Sequence, residues 1–151
     1  MIDIEDFKKS IGKKSRLLGI DPGKSRVGLA ICDENKLVST PFKTIVKKNN
    51  SSFVSEIKEI IAENNIKGII VGNPINMDGS KGSSAQSAND FAKYLSNNVS
   101  IPIAMWDERL SSEGAFNLSS NLDVNTSKKV EKLDQNAASF ILQGAIDYIR
   151  R

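Results

Sequence analysis

The sequence predicts an α/β fold: a mixed five-stranded sheet, made of a three-strand antiparallel meander and two βα units, with helices on both faces. Three observations carry that prediction. Two short apolar runs, residues 17–20 and 27–32, flank the turn formers Pro22 and Gly23, and a third β-rich run follows at residues 36–45. From residue 52 onward the apolar period switches from two to 3.6, and helical and strand segments then alternate. Parallel strands joined through helices require right-handed crossovers, so the later strands add to the meander as βα units.

The elements follow in chain order. Residues 2–11 place Ile4, Phe7 and Ile11 at helical spacing on a charged segment, giving an N-terminal helix or extension over residues 1–14 ahead of one domain spanning 15–151. Leu17, Leu18 and Ile20 read as a strand buried on both faces that ends on a carboxylate, Asp21. Pro22 and Gly23 turn the chain, and residues 27–32 return it. Asp33, Glu34 and Asn35 form the next corner, and Pro41 in the following run argues for an edge strand. Asn49 to Ser52 supply N-cap chemistry for a helix facing inward with Phe53, Ile57, Ile60 and Ile61 and ending near Asn64 and Asn65. A strand at 68–71, a helix at 84–95, a strand at 101–106, a short helix at 111–118 and a long helix at 127–149 complete the order.

Composition narrows the chemistry. The 151 residues suit a single domain, with a net charge of +3 that falls short of demonstrating a nucleic-acid partner. Three basic groups stand out: Lys8 to Arg16, Lys43 with Lys47 and Lys48, and Lys128, Lys129 and Lys132; solvated faces account for each of them. Cys32 is the one cysteine, so no intramolecular disulfide or cysteine zinc site can form. No basic, apolar leader or bilayer-length apolar run is present, and the expected location is cytoplasmic. The sequence contains no histidine, which removes Ser-His-Asp triads, His-ligated zinc and His general bases. Carboxylates acting with a hard divalent metal become the leading chemistry.

Three carboxylate positions fall at the carboxyl ends of predicted strands or on a helix that packs near them, where open α/β sheets gather their ligands. Asp21, with Lys24 and Arg26 beside it, suits either a divalent metal held against a phosphate or an Asx-type turn. Trp106-Asp107-Glu108-Arg109 follows a strand directly, and adjacent residues on an extended chain face opposite ways. Glu108 is therefore chosen to share a point with Asp21. Asp107 becomes a supporting or arginine-paired residue, and Arg109 a phosphate contact or salt-bridge partner. An acidic lead-in to the 111–118 helix is the plainer reading of that cluster. Asp134 borders the core-facing stripe of the last helix, and neither Val130 nor Ala138, its neighbours one turn away, offers a cation. Close carboxylates repel by about 4 kcal/mol per pair at an effective dielectric near 20. A divalent ion relieves that repulsion, so the constellation implies magnesium or manganese and hydrolysis of a phosphate ester.

Gly-Ile-Asp-Pro-Gly-Lys-Ser-Arg-Val-Gly-Leu-Ala, Val-Gly-Asn-Pro-Ile-Asn-Met-Asp-Gly-Ser, Trp-Asp-Glu-Arg-Leu-Ser-Ser and Asp-Gln-Asn-Ala-Ala-Ser-Phe-Ile-Leu-Gln occur here in this order. Together they resemble the YqgF family, the Holliday-junction-resolvase-like pre-16S rRNA nucleases of bacteria, from Ser15 to the end of the chain. The resemblance implies a ribonuclease-H-like fold and an Asp, Glu, Asp site for Mg2+ or Mn2+, carried onto Asp21, Glu108 and Asp134. It also implies trimming of the 5′ end of precursor small-subunit rRNA, with nucleic acid and ribosome assembly intermediates as partners. Asn73 and Asn76, in the loop after the 68–71 strand, are read with it as substrate-side residues, alongside Lys24, Arg26 and Arg109. Resolvase relatives carry a further acid on the last helix where this chain has Ala137 and Ala138, so a second metal would need Asp107 or substrate phosphates.

Two rivals accompany this reading. Gly-Ile-Asp-Pro-Gly also resembles the first phosphate loop of sugar kinases and actin-like ATPases, but those need a second domain and a second loop, for which this chain has no room. A binding protein that keeps the fold without cleaving would show salt-dependent binding that survives loss of Asp21. Within the nuclease class, resolution of a DNA junction would require a homodimer presenting two sites, whereas rRNA trimming is compatible with a monomer.

Overall fold

The computed structural model describes residues 1–23, 25–73, 83–108 and 126–151, with 83–85 and 126–132 described by backbone alone. The expected mixed five-stranded sheet is present, in the order β3-β2-β1-β4-β5. β1 (Arg16–Asp21) runs antiparallel to β2 (Arg26–Cys32), with Leu18 opposite Ile31 and Asp21 opposite Gly28. β2 runs antiparallel to β3 (Ser39–Val46) and is interrupted by a bulge, where Leu29 pairs with Lys43 but Ala30 with Pro41. β4 (Ile66–Asn73) and β5 (Ile103–Asp107) are parallel to β1. Pro41 lies on edge strand β3, where a missing N–H is tolerated. The helix expected at 111–118 lies outside the described residues.

The third strand begins at Ser39 rather than Lys36 because the Asp33 side chain claims the intervening backbone. Its Oδ1 accepts from the N–H groups of Leu37 (2.9 Å) and Val38 (2.8 Å), and its Oδ2 from Asn35 (3.1 Å). Lys36 turns through the left-handed region at φ 57°. Such side-chain bonds compete with a ladder, so pairing starts only beyond them.

Side-chain alternation gives the sheet two apolar faces. Leu18, Ile20, Val27, Leu29, Ile69 and Val71 point to one, where Phe53 and Ile57 of α2 (Asn50–Asn64) and Ala92 and Leu95 of α3 (Ser83–Asn98) cover them. Asn49 caps α2, its Oδ1 accepting from Ser52 N at 2.8 Å, and Asn65 closes it at φ 53°. On the other face Leu17, Ala30, Ile70 and Ala104 meet Phe7 and Ile11 of α1 (Ile4–Ile11) and Ala138, Ile141, Leu142 and Ile146 of α4 (Thr126–Ile149). The N-terminal segment also reaches the β5 edge: Ile2 bridges to Ala104, and its N–H donates to Ile103 O at 3.0 Å. Among the described residues no helix is long and apolar enough to cross a membrane.

Candidate metal centre

Pleat parity decides which acids meet. Leu17 lies on the α4 face, so Gly19 and Asp21 share it; Ala104 and Trp106 lie on that face too, so Glu108 follows them at the end of β5. β4 separates the two strands, and Gly72 faces the same way. A Cβ built on Gly72 would lie 2.9 Å from Glu108 Oε1 and 2.5 Å from Ile141 Cδ1. The bare glycine therefore leaves the room that lets Glu108 lean across β4 to Asp21.

The two carboxyl groups hydrogen-bond to each other. Burial, then the Glu108 charge and this hydrogen bond, then Asp134, hold the Asp21 carboxyl well above the usual carboxylate range. Glu108 is also pushed up, chiefly by burial and further by Asp107, while its hydrogen bond with Asp21 pulls the other way. Both acids therefore hold a proton more readily than an isolated carboxyl group does. Two close, buried acids that both resist ionisation are a place where a cation would be favoured.

The third acid arrives from α4, which packs on the sheet at very short range. Cβ atoms built on Gly28 and Gly19 would lie 2.0 Å from Asp134 O and 2.7 Å from Leu142 Cβ. Only glycine on β1 and β2 lets the helix backbone settle there, and Ala138, fully buried on the facing surface, completes the fit. Asp134 is near enough for its charge to raise the pKa of Asp21, and its Oδ2 accepts a charge-assisted hydrogen bond from Arg26 Nε at 2.9 Å. Among the described residues no three acids stand close enough, as placed, to hold an ion. The donor set is nonetheless all oxygen, as a hard divalent cation prefers. Asp21 and Glu108 are the close pair, and Asp134 stands apart from them on Arg26.

The remaining expected residues divide. Arg26 begins β2, opposite Val46, and its side chain is 46% exposed. Asn73 ends β4 opposite Asp107, by parity on the sheet face away from Asp21, and its buried Oδ1 has no hydrogen-bond partner among the described residues. Lys24, Asn76 and Arg109 lie outside the described residues. The basic groups are partly engaged elsewhere: Lys43 pairs with Glu56 at 2.8 Å, Lys47 lies over the Phe91 ring, and Arg16 donates to Cys32 O and Asn64 O. Sequence reading overlooked Gly19, Gly28 and Gly72, although glycines at same-face positions of neighbouring buried strands signal a close-packed helix.

The chain resembles known proteins along nearly its whole length. A family model described as RuvX: Holliday junction resolvase matches residues 15–148. A Pelagibacter ubique protein named "Putative pre-16S rRNA nuclease" is 59% identical over 149 residues, covering 99% of each chain. A Gluconacetobacter diazotrophicus protein of the same name is 37% identical, covering 97% of this chain and 96% of its own. Among solved structures, Thermus thermophilus RuvC in complex with a Holliday junction substrate aligns with a TM-score of 0.55 at 11% identity, covering 89% of this chain and 94% of that one. At that identity the likeness speaks for the fold.

Proposed function

Since the chain belongs to the RuvX family of Holliday junction resolvases, we propose that it is a metal-dependent endonuclease that hydrolyses phosphodiester bonds in structured nucleic acid, most plainly at the 5′ end of pre-16S rRNA during ribosome assembly in the cytoplasm. The observation that carries this reading is the Asp21–Glu108 pair: two acids driven together at the carboxyl ends of parallel strands, each held above its ordinary range. The names of its relatives supply the pre-rRNA substrate.

Asp21, Glu108 and Asp134 would hold Mg2+ or Mn2+. Bound there, the ion supplies Lewis-acid polarisation of the phosphate and a water of lowered pKa. Gly72 keeps Glu108 aimed at Asp21, and the seating of α4 on Gly28 fixes where Asp134 enters. Arg26, half-exposed beside Asp134, would bind a substrate phosphate. Lys24, Asn73, Asn76 and Arg109 are assigned to the substrate side from the sequence.

Incubating the protein with precursor 16S rRNA and with a four-way DNA junction, in Mg2+, Mn2+ or EDTA and beside Asp21→Asn, tests this. Metal-dependent trimming of the rRNA that Asp21→Asn loses supports it. Cleavage confined to the junction would move the function to recombination, the reading favoured by the family's description. Binding without cleavage, unchanged in Asp21→Asn, would overturn the catalytic assignment.

A further inference from the structure

Arg26 and Asp134 are 108 positions apart and meet at 2.9 Å on the rim of the carboxylate site. Their main chains are fixed relative to each other, because α4 seats the Asp134 carbonyl against Gly28, two residues along β2 from Arg26. Neither partner is deeply buried: the side chains are 46% and 23% exposed. Ion pairs this wet are weak and exchange readily. Gly28 is the β2 partner of Asp21, so the Asp134 backbone seated on Gly28 stands one strand from Asp21, near enough for the Asp134 charge to be felt there.

We propose that Arg26 is the internal counter-cation of this site: it holds Asp134 while no metal is bound, yields it to the divalent ion, and is thereby released to bind a phosphate of the incoming nucleic acid. The inference rests on the metal-centre reading above and adds a coupling between the two ligands. An arginine shared between Asp134 and substrate phosphate makes metal and nucleic acid favour each other, and the linkage is reciprocal. It also suits the all-oxygen site for an ion that enters with substrate rather than staying bound between turnovers.

Calorimetric titration of Mn2+ into the metal-free protein tests the proposal without relying on activity. Arg26→Gln is expected to bind Mn2+ about fivefold more tightly than the wild type, the size of effect a half-exposed ion pair can impose. Arg26→Lys, which keeps the charge beside Asp134, is expected to bind Mn2+ like the wild type. Repeating both titrations with a non-cleavable phosphorothioate RNA bound should show a gain in Mn2+ affinity for the wild type and a smaller one for Arg26→Gln. Equal Mn2+ affinity of wild type and Arg26→Gln, or equal tightening by the Gln and Lys variants, would overturn the proposal while leaving the metal centre standing. Absence of Asp21-dependent Mn2+ binding in the wild type would remove the metal centre itself, and the proposal with it.

Discussion

A Cβ built on Gly28 would lie 2.0 Å from the carbonyl oxygen of Asp134. The last helix is therefore locked against β2 at the residue that brings the third acid to the site, and no side chain fits between them. Gly28→Ala is expected to cost about 3 kcal/mol of stability, the upper end for overpacking, because the obstacle is backbone. Gly68→Ala meets instead the far end of the Phe7 ring, at 2.6 Å, and is expected to cost about 1 kcal/mol. Urea unfolding of the two variants checks the ranking, and cleavage by Gly28→Ala should fall more than its folded fraction does.

The raised pKa of Asp21 fixes the sign of a pH dependence. Between the ordinary carboxylate range and its raised folded-state value, Asp21 binds a proton in the folded protein but not in the unfolded chain. The contribution of Asp21 to the stability of the metal-free protein is then lost as pH rises from the ordinary carboxylate range through its folded-state value. Asp21→Asn keeps a hydrogen-bond donor toward Glu108 and removes the charge. It is expected to stabilise the metal-free protein at neutral pH and to flatten the pH slope. Thermal melts across that range in EDTA measure both effects.

Much of this arrangement could be read from the residues before any coordinates. The apolar runs, the Pro22-Gly23 turn and the switch of period gave the five strands and their succession along the chain, and pleat parity separated Glu108 from Asp107. What escaped depends on long-range registration. No rule of helix spacing points from Asp134 to Arg26, since the pairing is set by how far α4 slides along β2. The late start of β3 comes from Asp33 bonding to three backbone N–H groups, a local competition invisible to hydrophobic pattern. Ile2 joins the β5 edge through a bridge across roughly a hundred residues, which the helical spacing of that segment does not announce.

That N-terminal segment carries a further expectation. Phe7 is fully buried between α1 and the sheet, touching the space over Gly68. Phe7→Ala is expected to destabilise the protein by about 3–5 kcal/mol, as for other buried aromatics cut to alanine. A lowered denaturation midpoint with an unchanged slope would show that α1 unfolds with the domain; a midpoint close to that of the wild type would show that it does not contribute to the fold.

A divalent ion bound between Asp21 and Glu108 must displace the proton that their burial favours. Titrating Mn2+ calorimetrically into metal-free wild type, Asp21→Asn and Glu108→Gln at neutral pH tests this most directly. Saturable binding to the wild type, accompanied by proton release and weakened about tenfold or more in each variant, is the expected result. Mn2+ binding of equal strength in all three proteins, with no proton released, would contradict it.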